Sequence, residues 1–127
     1  MSAPQPPIYS LSVSAVGPLI DEFTAAGVWV FFREGAPDEL LEFALLHSAE
    51  APRAPIAAGQ ALDIDGHAYT ITAVGELAND NIRALGHLVL KANGATEAEL
   101  PGDVSIEARP LPNPSIGTTL RIWKEAS

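Results

Sequence analysis

Apolar and polar positions alternate along most of this chain in short runs, and the runs predict strands. Tyr9, Leu11 and Val13 alternate with Ser10, Ser12 and Ser14, so a half-buried strand is expected from about Ile8 to Val16, ending at Gly17-Pro18. Leu19 to Thr24 reads as a loop or a helical turn. Val28-Trp-Val-Phe-Phe32 is continuously apolar, β-branched and aromatic, and Arg33-Glu34-Gly35 closes this buried strand with charge and a glycine turn. Pro37 presets φ for a first helical position, and Asp38 and Glu39 suit the positive end of a helix dipole, which predicts one or two helical turns over 37–42. Phe43 to Leu46 is apolar again and fits a strand or a continued helix. His47 ends that run, and Ser48 to Pro52 is an exit loop, so the imidazole is expected at a rim, held but reachable.

Ala61 to Ile64 and His67 to Val74 flank Asp65-Gly66, a pair that supplies the positive φ values of a tight hairpin. The register places Tyr69, Ile71 and Ala73 on one face, with His67 beside the turn. Asn79-Asp80 is expected to cap a short helix through Leu85, Gly86 to stop it in a left-handed conformation, and His87 to Lys91 to form a strand. After a turn at Asn93-Gly94 and an acidic loop from Glu97 to Gly102, Asp103 to Ala108 reads as a strand in which Val104 and Ile106 alternate. Pro110, Pro112 and Pro114 stiffen an extended connection, and Thr118 to Trp123 is the final strand. About seven or eight short strands with one or two helical turns predict an all-β, β-rich fold: a compact antiparallel barrel or sandwich whose closure hides its edges.

Composition narrows the chemistry. The 127 residues fit one domain, expected over 8–127 behind a disordered, proline-rich lead at 1–7. With 47% hydrophobic residues the chain can bury a core, and without cysteine it has neither disulfide staples nor a thiol nucleophile. Sixteen acids against seven bases give a net charge of -9, which excludes nucleic acid and suits a partner with a basic face. No run approaches a membrane span or a signal peptide, so a cytoplasmic location is expected.

The available nucleophiles are histidines and carboxylates. Imidazole, with a pKa of about 6.5 when unperturbed, stays largely neutral in the cell and can react at one nitrogen while a hydrogen bond orients the other. His47, His67 and His87 lack the close spacing of metal ligands, so no metal is expected. No glycine-rich loop cradles a nucleotide, and no cofactor is expected. Asp63 with Asp65, and Glu97 with Glu99, sit in turn and loop compositions that solvation explains, which leaves a hydrolase without support. Arg33, Arg83 and Lys91 are the cations placed nearest such a site, and Arg33 is the auxiliary candidate among them.

Three long runs, FREGAPDELLEFALLHS (32–48), TAVGELANDNIRALGHLVLK (72–91) and ATEAELPGDVSIE (95–107), resemble the glucitol/sorbitol-specific enzyme IIA component of the bacterial phosphotransferase system. Their length and order make the resemblance far more specific than a short motif, and it extends from Ile8 to Trp123. It implies a phosphotransferase component whose His47 accepts a phosphoryl group from the phosphocarrier HPr. The group would then pass to a cysteine on IIB of a IIB/IIC glucitol/sorbitol permease. From the residues themselves, His67 or His87 is the candidate auxiliary donor to the phosphoryl group. Association of copies of the chain is left open. The alternative is a non-catalytic binding or regulatory β-domain of the same fold.

Overall fold

The structure, a computed structural model, describes residues 5–125. Among these, nine strands and two helices follow in the order β1 (Tyr9–Ser12), β2 (Ala15–Val16), α1 (Ile20–Ala25), β3 (Val28–Arg33), β4 (Leu45–His47), β5 (Ala61–Ile64), β6 (His67–Val74), α2 (Ala78–Leu85), β7 (Leu88–Lys91), β8 (Asp103–Ile106) and β9 (Thr119–Trp123). They form one curled sheet, ordered β1-β9-β5-β6-β8-β7-β3-β4-β2. Its outermost strands are consecutive in the chain. Val13 N–H donates to Thr118 O at 2.8 Å and Ser14 N–H to Leu46 O at 2.8 Å, so one segment lies against β9 on one side and β4 on the other. Closure is achieved by a strand that changes neighbours midway.

The β-rich expectation holds, with two differences. The β3–β4 and β7–β8 ladders are parallel, whereas an antiparallel barrel or sandwich was expected. Each pair is joined by a connection of about a dozen residues, long enough to carry the chain back to the end where the previous strand began. The second difference is β8, which alternates in sequence yet is buried at all four residues, Asp103 and Ser105 as well as Val104 and Ile106. A strand covered on both sides has no solvent face to advertise in its pattern.

Local chemistry explains the rest. Asp65 at φ 49° and Gly66 at φ 91° make the hairpin turn that the Asp-Gly pair predicts. The polar corner after β3 shrinks to a 3-10 turn over Asp38–Leu40, and Phe43–Leu46 resolves in favour of a strand, since Leu45 and Leu46 pair with Phe31 and Phe32. Asn79 does not cap α2. Its Oδ1 accepts from Ile56 N–H at 2.8 Å and its Nδ2 donates to Ile56 O at 3.0 Å, fastening the loop before β5 to the helix. Inside the sheet, Trp29, Phe31, Ile71, Ile82, Leu90 and Ile122 are fully or almost fully buried, each worth on the order of 1.5–3 kcal/mol in apolar surface removed from water. Residues 1–4 of the expected lead lie outside the described residues. Gln5 O accepts from Trp123 Nε1 at 3.0 Å and Pro7 O from the Arg53 guanidinium at 2.7 Å.

Candidate active site around His47

His47 closes β4 with its side chain turned into the sheet, beside Arg33 in register on β3. The ring is 0% exposed, so the sequence expectation of a reachable rim histidine is corrected: the apolar run that delivers the imidazole also carries it inside. Tyr9 and Phe31 meet it edge-on, each with ring centroids 6.4 Å away.

Both ring nitrogens have backbone partners. Ala49 N–H donates to Nδ1 at 3.1 Å, so Nδ1 carries the lone pair. Nε2 lies 2.9 Å from Gly86 O and, as the protonated nitrogen, donates to it. This geometry selects one neutral tautomer. Burial lowers the pKa of His47 below its ordinary value; the hydrogen bond to Gly86 O opposes the shift, the Arg33 charge adds to it, and Glu34 opposes it.

Arg33 braces the two segments that hold the ring. Its Nε donates to Ala49 O at 3.2 Å, and its two terminal nitrogens donate to Ile82 O, Arg83 O and Ala84 O at 3.4 Å each, at the carbonyl end of α2. A guanidinium has the fork needed to serve several carbonyls at once, and a cation there also complements the negative end of the helix dipole. Gly86, at φ 60° and ψ 21°, ends α2 as expected and turns its carbonyl onto His47.

The other sequence candidates separate. His87 follows Gly86; its Nδ1 lies 3.2 Å from Phe31 O, and its ring stacks on Phe32 at 4.1 Å with planes 8° apart. It adjoins the His47 cluster without entering the ring's own contacts. His67 is exposed at the hairpin, and β8, β7 and β3 separate its strand from β4, so it is not brought to the site. Arg83 pairs with Asp80 on α2, and Lys91 with the buried Asp103 at 2.7 Å. A wide cleft of about 790 Å³ between the end of α1 and residues 108–113 contains no histidine and lies apart from this chemistry. No group of three or more metal-ligating side chains occurs among the described residues. Tyr9 on a half-buried strand, Gly86 at a helix stop and Ala49 in an exit loop lie far apart in sequence or carry no local mark of a shared site, so nothing in the sequence brings them together around His47.

The family model for the PTS system glucitol/sorbitol-specific IIA component matches residues 8–121, nearly the whole described chain. The chain belongs to this family. Glucitol/sorbitol-specific EIIA components of Shigella flexneri and of Escherichia coli (strain K12) are each 35% identical to it over 106 residues, which cover 84% of this chain and 85% of either relative. The crystal structure of a PTS system IIA component from Enterococcus faecalis V583 superposes with a TM-score of 0.79 at 30% identity, covering 87% of this IIA chain and 96% of that one. As a IIA component it is a member of a phosphotransferase family that works with other proteins of the system. No helix among its described residues is long and apolar enough to cross a membrane.

Proposed function

We propose that this IIA component carries a phosphoryl group on His47, received from phospho-HPr and passed to the IIB component of a IIB/IIC glucitol/sorbitol permease in the cytoplasm. The observation that supports the reading most is the neutral imidazole, fixed in one tautomer by Ala49 N–H and Gly86 O, within the run that carries the family resemblance. In the loading step the P–N bond of phospho-HPr breaks as a P–N bond forms to an unprotonated nitrogen of His47. The leaving imidazole keeps the electron pair, and no proton is released. Onward transfer breaks the P–N bond on His47 and forms a P–S bond on the acceptor thiolate.

Because the ring is buried, transfer requires motion. Attack by Nδ1 requires Ala49 N–H to part from it; attack by Nε2 requires its proton to move to Nδ1 and the Gly86 contact to open. Either route shifts the exit loop after His47, where Ser48 is already exposed. Arg33 then changes partners, because its long contacts to carbonyls can be exchanged for charge-assisted bonds to phosphoryl oxygens. His87, one residue from the Gly86 carbonyl, is the remaining auxiliary donor. The net charge of -9 favours encounter with a basic carrier face.

The complete burial of His47 favours a second reading, a regulatory domain of the same fold that transfers nothing. Incubation with phosphoenolpyruvate, enzyme I and HPr separates the two. Acid-labile, alkali-stable label on the wild type, absent from His47→Gln and present on His67→Gln and His87→Gln, supports transfer. An unlabelled wild type supports regulation, and label retained by His47→Gln would place the chemistry on another residue.

A further inference from the structure

Tyr9 is 3% exposed, and its hydroxyl is buried with no hydrogen-bond partner among the described residues. Such an orphan is costly, because the hydroxyl has given up water for nothing, and native interiors keep few of them. Phenylalanine would fill nearly the same space without that cost. Two other orphan hydroxyls, Thr72 Oγ1 and Ser105 Oγ, belong to β6 and β8, whereas Tyr9 packs against the candidate acceptor.

Its surroundings tie it to the candidate acceptor. The Tyr9 and His47 rings lie at 87° with centroids 6.4 Å apart, and the exit loop that covers His47 is tied down beside Tyr9, where Arg53 N–H donates to Ile8 O at 2.9 Å. Arg33 acts electrostatically on both rings. Burial pushes the phenol up to about 12, against the smaller opposing effect of Arg33, so the group remains a donor throughout the physiological range.

We infer that the Tyr9 hydroxyl is a binding contact for the phosphoryl group on His47, donating its hydrogen to a phosphoryl oxygen while Arg33 supplies the charge. A phosphoryl group on His47 would bring three strong acceptor oxygens to a ring against which Tyr9, with its unused donor, already packs. Tyr9 makes no bond to phosphorus and keeps its proton. This inference rests on His47 being the acceptor.

The test compares full-length wild type with Tyr9→Phe, both incubated with phosphoenolpyruvate, enzyme I and HPr. The unphosphorylated variant is expected to melt at the same temperature as wild type or higher, since it loses only an orphan. It should still be labelled on His47, at a rate lower by about a hundredfold, as for loss of one donor to a transferring group. The 31P resonance of the phosphohistidine should move, and in the wild type phosphorylation should slow solvent exchange of the Tyr9 hydroxyl proton. Equal labelling rates with an unmoved 31P resonance would overturn the role of Tyr9 and leave His47 standing. A lowered melting temperature in Tyr9→Phe would also overturn it, since the hydroxyl would then have a partner in the free protein. A wild type that takes no label on His47 would overturn both readings.

Discussion

Gly86 touches His47 in two ways at once. Its carbonyl oxygen accepts from Nε2 at 2.9 Å, and a Cβ placed on it would lie 2.9 Å from His47 Cε1 and 2.8 Å from Arg33 Cβ. The helix stop and the histidine's hydrogen bond are therefore one device, which works only while the residue has no side chain.

Gly86→Ala is expected to destabilise the protein by about 2 kcal/mol or more, combining the cost of a left-handed alanine with the displacement of Arg33 and His47. Gly94→Ala is the matched control. Its φ of 66° is nearly the same, yet the nearest atom to its Cβ is an ordinary 3.4 Å away. Urea unfolding of both variants checks the difference, and equal losses would show that crowding at His47 contributes nothing.

Acid should weaken the fold through His47. Because burial lowers the pKa of the folded ring, the unfolded chain takes up the proton first as pH falls below about 6.5. The contribution to stability is complete above that value and is lost as pH drops through the folded pKa. Lowering the pH from about 7.5 to about 5.5 should therefore reduce the urea midpoint more in wild type than in His47→Gln. Parallel pH profiles for the two proteins would contradict it.

Arg33→Met removes the guanidinium donors that bridge Ala49 to the carbonyl end of α2. A loss of about 1–2 kcal/mol is expected, together with exchange of the Ala49 amide at least about tenfold faster than the global loss accounts for. Arg33→Lys should restore the charge and little of the protection, because an ammonium lacks the planar fork. Residue-resolved hydrogen exchange decides; unchanged protection at Ala49 would remove the bracing role.

Two ion pairs should differ sharply in worth. Asp103 is almost wholly buried, holds Lys91 at 2.7 Å and also accepts from Leu100 N–H at 3.1 Å, so Asp103→Ala strands a partly buried cation and should cost about 3 kcal/mol. Asp80, paired with Arg83 on the solvent face of α2, should cost under about 1 kcal/mol on the same change. Chemical denaturation of the two variants provides the comparison.

The features that the sequence made visible are those encoded by adjacent residues. Asp65-Gly66 contains its whole turn, Val28 to Phe32 announces a strand by composition, and Gly86 marks its helix end. What stayed hidden depends on partners far along the chain. Arg33 reads as a solvated strand cap because its acceptors, Ala49 and residues 82–84, lie beyond any local window. Asn79 looks like a cap until Ile56 claims it. The depth of His47 is hidden for the same reason: the polar exit at Ser48 suggests a rim, while Tyr9, Phe31 and Gly86 enclose the ring from three other strands or turns. The parallel pairings carry no local signal, since pairing direction is a property of two strands and of the path between them.

The way the sheet closes also constrains the order of folding. Tyr9 pairs with Ile122 and Ser12 with Thr119, so β1 finds its ladder only in the last strand of the chain. Contacts across so much intervening sequence carry the largest loop-closure entropy and form late. Until then Tyr9 and Leu11 have no strand beside them, and they form an unprotected sticky edge in a nascent or partly folded chain. Pulse-labelled hydrogen exchange should find the amides of 9–12 among the last to be protected, so Tyr9 reaches the His47 ring after the histidine's own strand has found its place.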